Sequence, residues 1–200
     1  MTEVHGSAVL RPGTRRYTIS AMEYAVITAI GSDQVGIMDR LAGEVVSLEA
    51  NIEESRAAIL GGEFAVIMLV TGNTGFAKSL GMRLQATGEA MGLSITVKPT
   101  SGPAQPMGLP YVIESLSLDT PGVVHAITSV LKANNINIED LESGVRAAPL
   151  SGSPMFSMRI AFNIKPGASL AALRKELARV ASEHDLDIEV HPAKATAISS

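Results

Sequence analysis

Cysteine is absent from the 200 residues. That excludes disulfides, thiolate nucleophiles and cysteine-bound metals, and it suits a reducing compartment. Tryptophan is absent too, and aromatic residues make up 4% against a hydrophobic fraction of 46%. The cores must therefore be aliphatic, built from Val, Ile, Leu, Ala and Met. No uninterrupted apolar run approaches the ~18–20 residues of a membrane span. The N-terminus shows no apolar signal core, so a soluble, cytoplasmic protein is expected. A basic surplus is lacking as well: the formal charge is −4, and acidic residues outnumber basic ones in both halves. Direct nucleic-acid binding is disfavoured, because it draws on a surplus of Lys and Arg.

The usual catalytic patterns are also missing. His5, His125, His184 and His191 show no metal-ligand spacing. Gly75-Phe76-Ala77-Lys78-Ser79 has a Lys-Ser pair but not the rest of a phosphate-binding loop. Ser151-Gly152-Ser153 lacks the strand-to-helix elbow of a nucleophilic serine. Glu53-Glu54 and Glu139-Asp140 are adjacent pairs on strands, where neighbours point to opposite faces. No enzyme activity, cofactor or metal is expected.

What is present is a repeat. Asp33-Gln34-Val35-Gly36 runs on to Asn51-Ile52-Glu53, and Asp119-Thr120-Pro121-Gly122 runs on to Asn137-Ile138-Glu139. The paired aspartates, glycines and asparagines are each 86 positions apart, so the chain reads as one unit duplicated.

Within the first copy, Glu23–Ile30 is β-rich and is closed by Gly31-Ser32-Asp33. Ser32 or Asp33 is placed to cap a helix with Ile37, Leu41, Val45 and Leu48 on one face. A strand over 52–60, a Gly61-Gly62 hairpin and the wholly apolar Phe64–Val70 follow, the last expected to be a central strand. Phe76, Leu80, Leu84 and Met91 mark a second helix weakened by Gly81 and Gly88, and residues 93–98 alternate as a half-exposed strand. The second copy repeats this order, with Thr120 as helix cap and Pro121 as first helical residue. The expected fold is α+β: two ferredoxin-like βαββαβ units, each an antiparallel sheet with two helices on one face. Boundaries are read as a flexible leader at 1–21, domains at 22–98 and 111–192, a Pro-rich linker at 99–110 and a tail at 193–200. A sheet covered on one side leaves its other face or its edges in need of cover, so a homodimer is expected.

The turn before the helix offers chemistry. A small residue lets a ligand approach the backbone, and free N–H groups at the helix start favour a carboxylate. Asp33 or Asp119 suits an ammonium group, and Asn51 or Asn137 supplies both a donor and an acceptor. The plainer reading is that the aspartates cap, the glycines pack and the asparagines tolerate a turn; duplication alone reproduces the spacing.

Asp-x-x-Gly at a helix start, followed fifteen residues after the Gly by Asn-Ile, resembles the signature of the ACT domain, a small regulatory module that binds amino acids. Two such units resemble the glycine cleavage system transcriptional repressor group in particular. The hairpin loop from Ala148 to Phe156 is similar to that group's long hairpin. The resemblance implies a ligand site near the turn, often at an interface between modules. Carried over, Asp33, Gly36 and Asn51 line one site and Asp119, Gly122 and Asn137 the other. It also implies a sensor of a small, glycine-like amino acid acting through a partner protein such as a transcription factor. The alternative is an assembly module without sensing. Pro immediately before the Gly fits the family at Pro121 but not at Val35, so the second copy carries the fuller motif.

Overall fold

The computed structural model describes residues 22–103, 107–118, 121–147 and 152–193. The proposed leader, Asp119, Thr120, residues 148–151 of the second hairpin and residues 194–200 of the tail lie outside the described residues.

The chain divides between Ala104 and Gln105 into two compact units. The first comprises β1 (Met22–Ser32), α1 (Ile37–Val46), β2 (Asn51–Leu60), β3 (Glu63–Asn73), α2 (Phe76–Met91) and β4 (Ser94–Thr100). The second comprises β5 (Leu109–Leu118), α3 (Val123–Ala133), β6 (Ile138–Ala147), β7 (Pro154–Ile164), α4 (Leu170–His184) and β8 (Asp187–Pro192). Each sheet is antiparallel, in the orders β2-β3-β1-β4 and β6-β7-β5-β8. The fold is α+β with two ferredoxin-like βαββαβ units. The strands run further than the sequence reading gives them: Pro99 and Thr100 pair with Ala25 and Tyr24, and Leu109 and Pro110 pair with Ile164 and Asn163.

Both cores are aliphatic and lie between sheet and helices. Ile27, Met68, Leu41, Leu80 and Leu84 are fully buried in the first, and Ile113, Ile160, Ile127, Leu131, Leu173 and Leu177 in the second. The helical spacing of Ile37, Leu41 and Val45 sets the buried stripe of α1, and Val123, Ile127, Val130 and Leu131 set that of α3. Gly81 and Gly88 do not interrupt α2. Gly88 has a packing reason: a Cβ there would lie 2.7 Å from the Leu93 carbonyl oxygen, so glycine lets the helix settle onto β4.

β3 is central, but the sheet is covered on one side only. Phe64, Val66, Met68 and Val70 face the helices, while Ile67 on the other side is half exposed. One irregularity recurs in both units. The β2–β3 register shifts between Ile52 and Glu54, and the β6–β7 register shifts between Ile138 and Asp140. Glu53 and Glu139 are thus the extra residues of matching β-bulges. Ile52 packs toward the helices, yet Glu54 lies opposite Leu69 on the open side. Simple alternation puts Ile52 and Glu54 on the same face; the bulge separates them.

Candidate functional site

The turn after β1 is held at both ends. The Asp33 backbone N–H donates to the Gly62 carbonyl at 3.0 Å, and Gln34 Nε2 donates to the Met91 carbonyl at 2.8 Å. Val35 stands fully exposed. Gly36 then takes φ 95°, a left-handed conformation that disfavours a side chain, and a Cβ there would meet no atom within 4 Å. Its carbonyl accepts the first helical bond, from Arg40 N–H at 2.9 Å. In the second unit Gly122 has φ 96°, the same open surroundings and the matching bond from Ala126 N–H at 2.9 Å.

This corrects the capping expected from sequence. The N-cap positions are Gly36 and Gly122, and neither helix start receives a side-chain cap. Neither Asp33 nor Ser32 caps α1, because the left-handed glycine reverses the chain after them and the helix begins one residue later. Likewise Pro121 precedes the N-cap and is not the first helical residue. Where a side-chain cap does occur, at α4, Ser169 Oγ accepts from Ala172 N–H at 3.2 Å. The first N–H groups of α1 and α3 are therefore open to an anion. The feature is not exclusive to them: α2 also starts on a left-handed glycine, Gly75, whose N–H is taken by Glu23 Oε2 at 2.9 Å.

The strand register decides which residues meet. Asn51 lies opposite Thr71, and Thr71 opposite Tyr24, near the beginning of β1. Asp33 and Gly36 follow Ser32 at its other end. Tyr24 and Ser32 are eight positions apart, which is about 26 Å at ~3.3 Å per residue. In the second unit Ile138 lies opposite Phe162 and Phe162 opposite Tyr111, whereas Gly122 follows Leu118. That separation is about 23 Å by the same measure. Within one unit, then, the turn and the asparagine do not share a site. Each unit places these two groups of candidate residues at opposite ends of its first helix, and Asp119 lies outside the described residues.

The two asparagine ends differ. Asn51 is engaged locally, its Nδ2 donating to Glu53 Oε1 at 3.3 Å. Asn137 Nδ2 donates to the Ile138 carbonyl at 3.3 Å. Asn137 also lines an open pocket of about 350 Å³ together with Lys132, Asn135 and Lys165. Lys132 lies in the last turn of α3, Asn135 turns the chain at φ 54°, and Lys165 follows β7. At the corresponding places the first unit has Val46, Glu49 and Asn73. Sequence reasoning missed both lysines, since Lys165 reaches the site only because β7 runs beside β6. Among the described residues, no group of three His, Asp or Glu side chains is placed to hold a metal.

Comparison with known proteins now bears on this geometry. Residues 23–98 and residues 111–178 each match a family profile described as ACT domain. The chain belongs to the ACT-domain family. This tandem ACT protein is 29% identical over 167 residues to the glycine cleavage system transcriptional repressor of Escherichia coli, spanning 83% of this chain and 88% of that protein. A solved structure of an unknown protein from Galdieria sulphuraria, 29% identical, covers 87% of this chain and 100% of its own with a TM-score of 0.76. A second solved structure, named for the same repressor, is 24% identical over 88% of this chain and 99% of that one. Its TM-score of 0.65 shows the shared fold. No helix among the described residues is long and apolar enough to cross a membrane.

Proposed function

We propose that this tandem ACT protein is a non-enzymatic regulator that senses a small amino acid and acts through protein contact. The likeness to a transcriptional repressor supports the regulatory role, with transcription of amino-acid metabolism genes as the target and a transcription factor as the partner. The acidic balance of the chain favours action through protein over direct DNA contact.

The observation that carries the sensing reading is the Asn137 pocket. Lys132 and Lys165 supply positive charge for a carboxylate, and the Asn137 amide supplies a donor and an acceptor for the rest of a zwitterion. The far half-site, around Gly122 and the open start of α3, comes from another module, in a homodimer from a second copy. A second reading, assembly without sensing, is favoured at the first unit, where Asn51 is held by Glu53 and its neighbourhood lacks the lysines.

A thermal-shift and calorimetric screen of the twenty amino acids separates the two. A ligand that binds only the folded state stabilises by RT ln(1 + [L]/Kd), about 2.7 kcal/mol at a hundred times Kd. A shift with a small amino acid is expected, lost in Asn137→Ala and kept in Asn51→Ala. No shift at millimolar concentration across the set would sink the sensing reading.

A further inference from the structure

The side of the second sheet away from α3 and α4 has a charge balance that neither the fold nor the Asn137 pocket uses. Residues directly opposite on antiparallel strands share a face, so the register gives its rows. One row runs Glu142, Arg159, Glu114, Glu189, from β6 through β7 and β5 to β8. Asp140 and His191 lie in the row on one side of it, and Gly144, Leu116 and Asp187 in the row on the other. Arg146 stands two residues beyond Gly144 on β6. The face thus holds five carboxylates against two guanidiniums. The open side of the first sheet is balanced, with Glu54 and Glu63 against Arg56 and Lys98.

The cations that this face already holds show what its carboxylates accept. Arg159 lies 4.0 Å from Glu114 and 4.0 Å from Asp140, and His191 Nε2 is 3.5 Å from Glu114. That leaves Glu142, Asp187 and Glu189 with no ion-pair partner among the described residues. All three line one groove of about 450 Å³. Gly144 keeps its middle open, since a Cβ there would meet no atom within 4 Å. Leu116, 47% exposed, gives the groove an apolar surface beside Asp187. An aliphatic stem on Leu116 with a cationic head among carboxylates is how Lys and Arg side chains settle on a surface. Glu142 and Glu189 sit on the two edge strands, three spacings of ~4.8 Å apart. One side chain does not serve both, so the occupant carries several cations.

We infer that this face docks a basic segment of a partner protein, which presents Lys or Arg side chains to Glu142, Asp187 and Glu189. The inference rests on the reading that the chain acts through protein contact. A DNA-binding partner carries such a surface, since Lys and Arg make its phosphate contacts. Docked on this face, that surface is withheld from DNA. Arg146 disfavours a cation at its own corner of the groove, which limits how the segment lies.

The test is an NMR titration of the isotope-labelled full-length chain with a short Arg- and Lys-rich peptide, and with a Glu-rich peptide of equal length as control. No amino acid is added, so this titration and the amino-acid screen fail independently. Amide shifts are expected at Glu142, Gly144, Asp187 and Glu189, with no response to the control and with affinity falling as salt is raised. The triple variant Glu142→Gln, Asp187→Asn, Glu189→Gln should lose about tenfold or more in affinity without loss of stability, because the three side chains are exposed. Glu54→Gln with Glu63→Gln, on the balanced sheet, should keep wild-type affinity. Shifts centred on another surface, or equal affinity in the triple variant, overturn the inference and leave the protein-contact reading standing. No shift at millimolar peptide overturns it as well. So does self-association of the chain that the triple variant abolishes, since the occupant is then a second copy.

Discussion

Ile67 and Arg159 occupy the same place in the two copies, the middle of the third strand on the side away from the helices. Around Ile67 lie Thr28, Thr96 and Arg56; around Arg159 lie Glu114, Glu189 and Glu142. Arg159 reaches Glu114 and Asp140 at 4.0 Å each, and His191 reaches Glu114 at 3.5 Å. One open face is thus apolar around Ile67, and the other holds a charged groove of about 450 Å³ lined in part by Glu142, Arg146 and Asp187. The cores, by contrast, match closely: Leu41 corresponds to Ile127 and Met68 to Ile160, all fully buried. The helix-facing sides of the two copies thus share one packing solution, while their open sides differ in polarity. The asparagine ends differ too, one beside two lysines and the other held by a glutamate.

The equivalence of the cores is the easiest part to break. Leu41→Ala and Ile127→Ala should each cost about 2–5 kcal/mol, and hydrogen exchange should show protection lost in the mutated unit first. Equal loss in both units from either change would mean that they unfold as one body. The turns come next. Gly36→Val and Gly122→Val force a β-branched residue into the left-handed region, at about 1–3 kcal/mol each, read as similar drops in denaturation midpoint. A neutral result at one of them would show that its turn is not fixed as described. The difference between the asparagine ends should show in binding. Lys165→Ala removes a charge-assisted contact worth about 1.5 kcal/mol, roughly tenfold in affinity for an amino acid, with stability unchanged; Asn73→Ala in the first unit should do neither. The smallest effect is Arg159→Ile, which gives the second face the residue of the first. Stability should move by less than about 0.5 kcal/mol, and light scattering should report weak new self-association.

Much of this could be read from residue order. The 86-residue offset, the aliphatic stripes and the wholly apolar Phe64–Val70 led to two βαββαβ units with β3 inside the sheet. What escaped depended on pairing. Asp33, Gly36 and Asn51 look like neighbours along the chain, yet α1 carries the backbone the full height of the sheet between them. Capping by Asp33 failed because a left-handed glycine moves the helix start, and no local preference of Asp reports that. Lys132 lies five residues before Asn137, but Lys165 is remote in sequence and shares the pocket with it only through the topology. The aspartate half of the second motif, Asp119, lies outside the described residues.

The matched bulges carry a last consequence. Ile52 and Glu54 face Val70 and Leu69, which are consecutive, as are Phe162 and Ala161 opposite Ile138 and Asp140. Glu53 and Glu139 are therefore surplus to the ladder. Removing either leaves the rest of its strand in register and every later side chain on its present face, where a deletion elsewhere in the strand would turn the remainder over. Each copy thus holds a strand position at which its length can change without inverting the sheet, two residues after the asparagine its candidate site depends on. The aim of Asn51 or Asn137 can be retuned there by a single-residue deletion, with the fold left as it is.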